Sequence, residues 1–224
     1  NIAKITSSGT LDTTFNPEAS ANGFNNVVRA LVSDANHIYV GGDFTTYRGD
    51  PANRIAKLNH SGVLDTTFND PGTNGTNNVV RALALNSTDI YAGGDFTLYK
   101  GYPANRIVKI EVASGGHDTT FSPTSGSNGF NNSVRALALD GSYVYAGGTF
   151  TTYKGGAANR LAKVDFSTGA LNTTFNPSSG ANGANSTVTA LAMSGTDLYA
   201  GGSFTTIRGG AANRVAKMTN AGVL

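Results

Sequence analysis

A unit of about fifty residues is written four times along the chain, and this repetition limits the fold more than any single residue does. The phrase Ile-Tyr-Val-Gly-Gly-Asp-Phe-Thr at 38–45 returns at Ile90–Thr97, Val144–Thr151 and Leu198–Thr205. The paired glycines start at Gly41, Gly93, Gly147 and Gly201, giving spacings of 52, 54 and 54. A fixed period of this size marks a solenoid, a propeller or an array, whose units bury their apolar faces only against one another. A residue present in every copy serves the folding of the unit first. One that breaks the pattern is the better functional suspect.

Each period carries four short β signals separated by turn residues. The first is Val79–Leu85 with cognates at 27–32, 134–139 and 188–193, apolar on both faces as a doubly buried strand should be. The second is the glycine-pair phrase. The third is Arg54–Leu58, matched at 106–110, 160–164 and 214–218, and the fourth is Leu64–Phe68, matched at 11–15, 118–121 and 171–175. Links between first and second, and between third and fourth, are tight. Those after the second and fourth are longer, and every fourth-to-first link holds an Asn-Gly turn, at 22–23, 74–75, 128–129 and 182–183. An antiparallel meander with this alternation sends all its long loops to one face. The expected fold is all-β, a β-propeller-like repeat array of four-stranded antiparallel blades. Residues 1–224 read as a single array of about four blades, with partial units at 1–15 and 188–224. Phe44, Phe96, Phe150 and Phe204, with Phe15, Phe68, Phe121 and Phe175, are expected to fill gaps between blades.

Composition narrows the function classes. A formal charge of +2 and the absence of a basic run argue against nucleic acid. No cysteine is present, which removes disulfides, thiol catalysis and cysteine metal sites. No apolar run approaches a membrane span and no signal peptide is visible. The start at Asn1 rather than Met suggests a processed or excised chain.

The phrases Val-Arg-Ala-Leu, Ile-Tyr-Val-Gly-Gly-Asp-Phe-Thr, Ala-Asn-Arg-Ile-Ala-Lys-Leu and Leu-Asp-Thr-Thr-Phe-Asn-Pro together resemble the delta-60 repeat of bacterial surface and secreted proteins. The double glycine after an Ile-Tyr strand is more loosely similar to a Kelch blade. The resemblance covers essentially the whole chain. Departures are Asn172 for the fourth-segment Asp, Thr189 for the first-strand Arg, and His117 after Gly-Gly. It implies a propeller-like fold and an extracellular or cell-surface setting, and it implies no activity.

Candidate chemistry is sparse. Arg54, Arg106, Arg160 and Arg214, with Asp12, Asp65 and Asp118, recur with the period and read as register-fixing Arg–carboxylate pairs rather than a binding ring. Arg29, Arg81 and Arg135 read the same way. His37, His60 and His117 occupy non-equivalent turns and share no ligand spacing, so no metal site, cofactor site or catalytic set is expected. The long-loop face is the candidate ligand or partner face. It carries Tyr47 and Arg48, Tyr99 and Lys100, Tyr153 and Lys154, and Ile207 and Arg208. A ring beside a cation suits sugars or anionic polymers, although a tyrosine packed under its loop is the preferred reading. The leading expectation is a non-enzymatic surface scaffold or protein-interaction module that self-assembles head to tail. The alternative is a lectin-like propeller that takes a glycan. The third-strand phrase appears five times, at Lys4, Lys57, Lys109, Lys163 and Lys217, so a simply closed four-blade ring is not expected.

Overall fold

The computed structural model describes residues 2–15, 23–72, 74–123, 126, 128–178, 180 and 182–224. Asn1 and positions 16–22 of the first long link, with the turn residue Asn22, lie outside the described residues. All regular structure among them is β, in antiparallel sheets. Blade 1 pairs Val28–Ser33, His37–Gly42 and Ile55–Asn59, with the glycine-pair strand in the middle. Blade 2 repeats this with Val80–Leu85, Asp89–Gly94 and Ile107–Glu111. Blade 3 has Val134–Leu139, Tyr143–Gly148 and Leu161–Asp165. Blade 4 has Val188–Ser194, Asp197–Gly202 and Val215–Thr219.

Every first strand slips register by one residue against the middle strand, between Val28 and Ala30, Val80 and Ala82, Val134 and Ala136, and Val188 and Ala190. The extra residue is Arg29, Arg81, Arg135 or Thr189. A bulge re-aims a side chain, and here these four residues, one per blade, line a common cavity of about 340 Å³ with Val27 and Val28.

The link after each middle strand folds into a two-residue hairpin, Thr46–Tyr47 with Asp50–Pro51 in blade 1. Its turn residues Arg48 and Gly49 have φ of 50° and 93°, the positive pair that a type I′ turn requires. The long link before each first strand packs on this hairpin. Asn25 Oδ1 accepts from the Thr45 and Thr46 amides, and Asn77, Asn131 and Asn185 repeat the arrangement. The long loops therefore share one face, as their lengths imply.

The fourth segment departs from expectation. Leu64 makes a single bridge to Leu58, and the rest of Leu64–Phe68 is a turn. Asp65 Oδ1 accepts from the Thr67 and Phe68 amides, closing an Asx turn that competes with strand pairing. Blades 1 to 3 are thus three laddered strands with one bridged segment alongside, while among the described residues no fourth segment bridges Val215–Thr219 of blade 4. Lys57, rather than an arginine, holds that segment: its ammonium lies 2.9 Å from Asp65, as Lys109 does from Asp118, while Lys4 lies 2.8 Å from Asp12. The expected pairing with Arg54 and its cognates is replaced because those arginines sit at positive φ, from 60° to 67°, at the start of the third strand. The lysine two positions inside the strand faces the carboxylate.

The cores form between blades. Tyr39 and Ile55 of blade 1 join Phe68, Val80 and Leu83 of the next unit. Tyr91 and Ile107 join Phe121 and Val134, and Tyr145 and Leu161 join Phe175 and Val188. Phe68, Phe121 and Phe175 of the fourth segment do fill the inter-blade gaps, while Phe15 packs into the cluster of blade 1 with Phe24, Val40 and Phe44. Phe44 and Phe150 instead pack within their own blades, their rings 4.1 Å from Phe24 and Phe130. The first glycine of each pair permits this approach: a Cβ at Gly41, Gly93 or Gly147 would lie 2.5–2.6 Å from Cγ1 of Val80, Val134 or Val188.

Candidate functional site

The tyrosine and cation of each hairpin are positioned by the type I′ turn. Tyr47, Tyr99 and Tyr153 are buried, and their hydroxyls donate to the Gly62, Gly115 and Gly169 carbonyls at 2.8–2.9 Å. Burial raises all three phenols above the usual tyrosine range. Three of the four cations turn back into the fold as well. Arg48 donates to the Phe15 carbonyl, Lys154 to that of Phe121 and Arg208 to that of Phe175. Ile207 is buried beside Arg208. None of these rings offers an exposed platform on which a sugar could stack. Lys100 is the exception among the cations, since it donates no hydrogen bond to Phe68 and lies 5.8 Å from the Phe68 and Tyr99 ring centres.

At the shared cavity between the first strands, Arg29 clasps Asp43 at 2.6 Å and Arg81 clasps Asp95 at 2.5 Å. Asp95 also accepts from Ser133 Oγ at 2.5 Å. The hydrogen bonds from Arg29 hold the Asp43 carboxyl below its ordinary value. At Asp95 burial acts in the opposite direction, and the Arg81 and Ser133 bonds outweigh it. Thr149 and Ser203 stand where the carboxylates would be in blades 3 and 4, so the ring of charge is incomplete.

The histidines do not converge. His37 Nδ1 lies 3.6 Å from Asp34, His60 Nε2 lies 3.3 Å from the Asp34 carbonyl, and His117 packs near the Tyr99 and Tyr102 rings. Among the described residues no group of three or more histidine and acidic side chains is placed to hold a metal ion. No helix among them is long and apolar enough to cross a membrane.

The ends of the array are different in kind. Tyr199 is 42% exposed and Val215 73% exposed, whereas their cognates in blades 1 to 3 are buried. Gly201 faces only Ala190 and the Arg214 backbone, where its cognates face the valine of the following blade. On blade 1, Leu31 is 53% exposed while its cognate Leu83 is buried, and Val28 is only partly buried, unlike Val80, Val134 and Val188. Blade 4 thus leaves uncovered the face that blades 1 to 3 cover with their successors. On the opposite side blade 1 is covered only in part, by the segment 2–15: Ile2 and Phe15 pack against its core and Lys4 lies beside Leu31, which stays exposed. The repeat pattern alone could not show this, because Tyr199, Gly201 and Val28 match their cognates in type.

Comparison with known proteins agrees with this architecture. A family model described as a domain of unknown function (DUF5122) beta-propeller matches residues 36–68. No curated protein matches the chain. Among solved structures, the computationally designed Ika4 protein superposes with a TM-score of 0.55 at 19% identity, over 88% of this chain and 93% of that one. The designed Ika8 protein gives 0.54 at 18% identity, over 88% of this chain and 46% of that one. The WD40 beta propeller domain of Doa1 gives 0.54 at 15% identity, over 88% and 52%. At such identities the likeness speaks to fold alone, and the fold is a β-propeller-type array of antiparallel sheets.

Proposed function

We propose that this chain is a non-enzymatic scaffold module of a cell surface or extracellular assembly, and that it associates head to tail with further copies of itself. One observation carries the reading: the open face of blade 4 and the partly covered face of blade 1 correspond to the two sides of an interface that the chain already makes three times internally. The Tyr199, Gly201 and Val215 face of one copy accepts Val28 and Leu31 of the next, as Tyr39, Gly41 and Ile55 accept Val80 and Leu83. Such a heterologous contact propagates into a ring or a filament. Covering Tyr199, Val215 and Leu31 is worth roughly 1.5–3 kcal/mol each. That sum is comparable with the cost of association, so assembly depends on concentration.

Two further points support a structural role. The side chains that recur with the period are committed to internal bonds: the Lys–Asp pairs, the tyrosine hydroxyls and the loop asparagines. The extracellular setting is what the delta-60 resemblance implies. Light scattering over a concentration series tests the reading. The unmodified chain is expected to gain mass with concentration, and Val215→Glu, which charges an exposed position without disturbing a packed one, is expected to remain monomeric. A chain that stays monomeric at every concentration contradicts the proposal.

A further inference from the structure

One junction departs from the repeat on the long-loop side, between blades 1 and 2. Phe68 to Asn77 spans nine positions, whereas Phe15 to Asn25, Phe121 to Asn131 and Phe175 to Asn185 span ten. Its proline also stands one place later, since Asp70 intervenes between Asn69 and Pro71, while Pro123 and Pro177 directly follow Ser122 and Asn176. The loop asparagine registers the change. Asn128 Nδ2 donates to the Pro103 and Pro123 carbonyls at 2.9 Å, and Asn182 Nδ2 donates to those of Ala157 and Pro177 at 2.8 Å. Asn74 is buried too, but its Nδ2 meets no acceptor. Its amide is not reversed, because Asn74 Oδ1 accepts from the Asn53 amide at 2.7 Å. A buried donor without a partner costs free energy and calls for an acceptor.

The second observation is Lys100. Its cognates Arg48, Lys154 and Arg208 each donate to the carbonyl of the preceding phenylalanine, and Lys100 does not. Burial pushes its ammonium below the ordinary lysine value, with Asp70 pulling the other way. Asn74, Lys100 and Arg54 line one cavity of about 280 Å³. Arg54 spends one nitrogen on the Thr76 carbonyl at 3.1 Å. With Asp70 close by, the two cations leave the site with a net positive charge.

We propose that this cavity binds a small oxyanion, a carboxylate or phosphate group, whose oxygens accept from Lys100 Nζ and Asn74 Nδ2 while Arg54 balances its charge. The site is a single one, at the one junction where the loop is shortened, and lies apart from the end faces. It goes beyond the scaffold reading and does not depend on it.

The test is titration of the intact chain followed by heteronuclear NMR of the side-chain amides, with inorganic phosphate, galacturonate and the neutral sugar galactose as probes. The Asn74 amide is expected to shift saturably with phosphate, galacturonate or both, and not with galactose. Saturation by phosphate alone assigns the group to phosphates, and by galacturonate alone to carboxylates. Lys100→Gln is expected to weaken binding about tenfold, while Lys154→Gln, at the equivalent place in blade 3, leaves it unchanged. The same spectra report whether each variant is folded. The inference is overturned if neither anion saturates the Asn74 signal, or if folded Lys100→Gln binds as the unmodified chain does.

Discussion

Alanine at two equivalent glycines separates a closed blade junction from an open one. At Gly147 a Cβ would lie 2.6 Å from Val188 Cγ1, 3.2 Å from Val188 Cβ and 3.4 Å from Leu191 Cδ1. Val188 is fully buried and stiff at χ1, so the blades must part to make room. Overpacking of this sort costs about 1–3 kcal/mol. Replacing a strand glycine returns about 0.5–1 kcal/mol of backbone entropy. The net for Gly147→Ala is a destabilisation of up to about 2.5 kcal/mol. At Gly201 the nearest atom is Ala190 Cβ at 3.6 Å, an ordinary contact, so only the entropic gain remains. The entropic gain is common to both, so the variants should differ by the overpacking cost, roughly 1–3 kcal/mol, or about 2–12 °C in melting temperature for a chain of this size. Thermal unfolding followed by circular dichroism, at a concentration where the chain is monomeric, gives the comparison. Equal melting temperatures would refute the reasoning, because they would mean that Gly201 is covered or that Gly147 is not.

Other consequences follow from the same contacts. Tyr153→Phe removes a buried hydroxyl that donates to the Gly169 carbonyl at 2.9 Å and should cost about 1–2 kcal/mol, read as a lowered melting temperature. A variant as stable as the parent would show that this hydroxyl is not a structural pin. Stability should also fall in acid. Asp43, Asp65, Asp95 and Asp118 all have folded pKa values depressed below the ordinary one. Their contribution is fully present above the unfolded value of about 3.9 and is lost as pH falls through the lower folded values. Melting temperatures that stay flat from neutrality down to about pH 3 would contradict those pairings.

The strands and their order were legible because period-two apolar patterning and paired glycines both report the same packing surface. The tight turns were legible from Gly62, Gly169 and their neighbours, and the common side of the long loops from link lengths alone. The fourth segment misled. Leu64, Thr66 and Phe68 alternate like a strand, but Asp65 spends its carboxylate on the Thr67 and Phe68 amides, and that local bond wins over a ladder. The choice of Lys57 over Arg54 as the partner of Asp65 turned on a positive φ that no propensity indicates. Asn25, Asn77, Asn131 and Asn185 were visible as repeated residues, yet their role in clamping the hairpin needs the fold to be seen. The loop before Asn77 is one residue shorter than its cognates in the sequence, a difference that the repeat pattern alone does not interpret. Its meaning appeared only when Asn74 and Lys100 were found without the partners their cognates have.

The head-to-tail claim is tested most directly by cross-linking, since the chain contains no cysteine of its own. In the internal junctions the Cβ positions of the glycine and the facing valine lie 3.1–3.3 Å apart, within a few tenths of an ångström of disulfide geometry. Gly201→Cys and Val28→Cys, prepared separately and mixed under mild oxidation, should form a disulfide-linked heterodimer, and neither should form a comparable homodimer alone. No heterodimer in the mixture, with an efficient bond inside one chain when both cysteines are placed together, would show that blade 4 closes on its own blade 1 and would contradict assembly between copies.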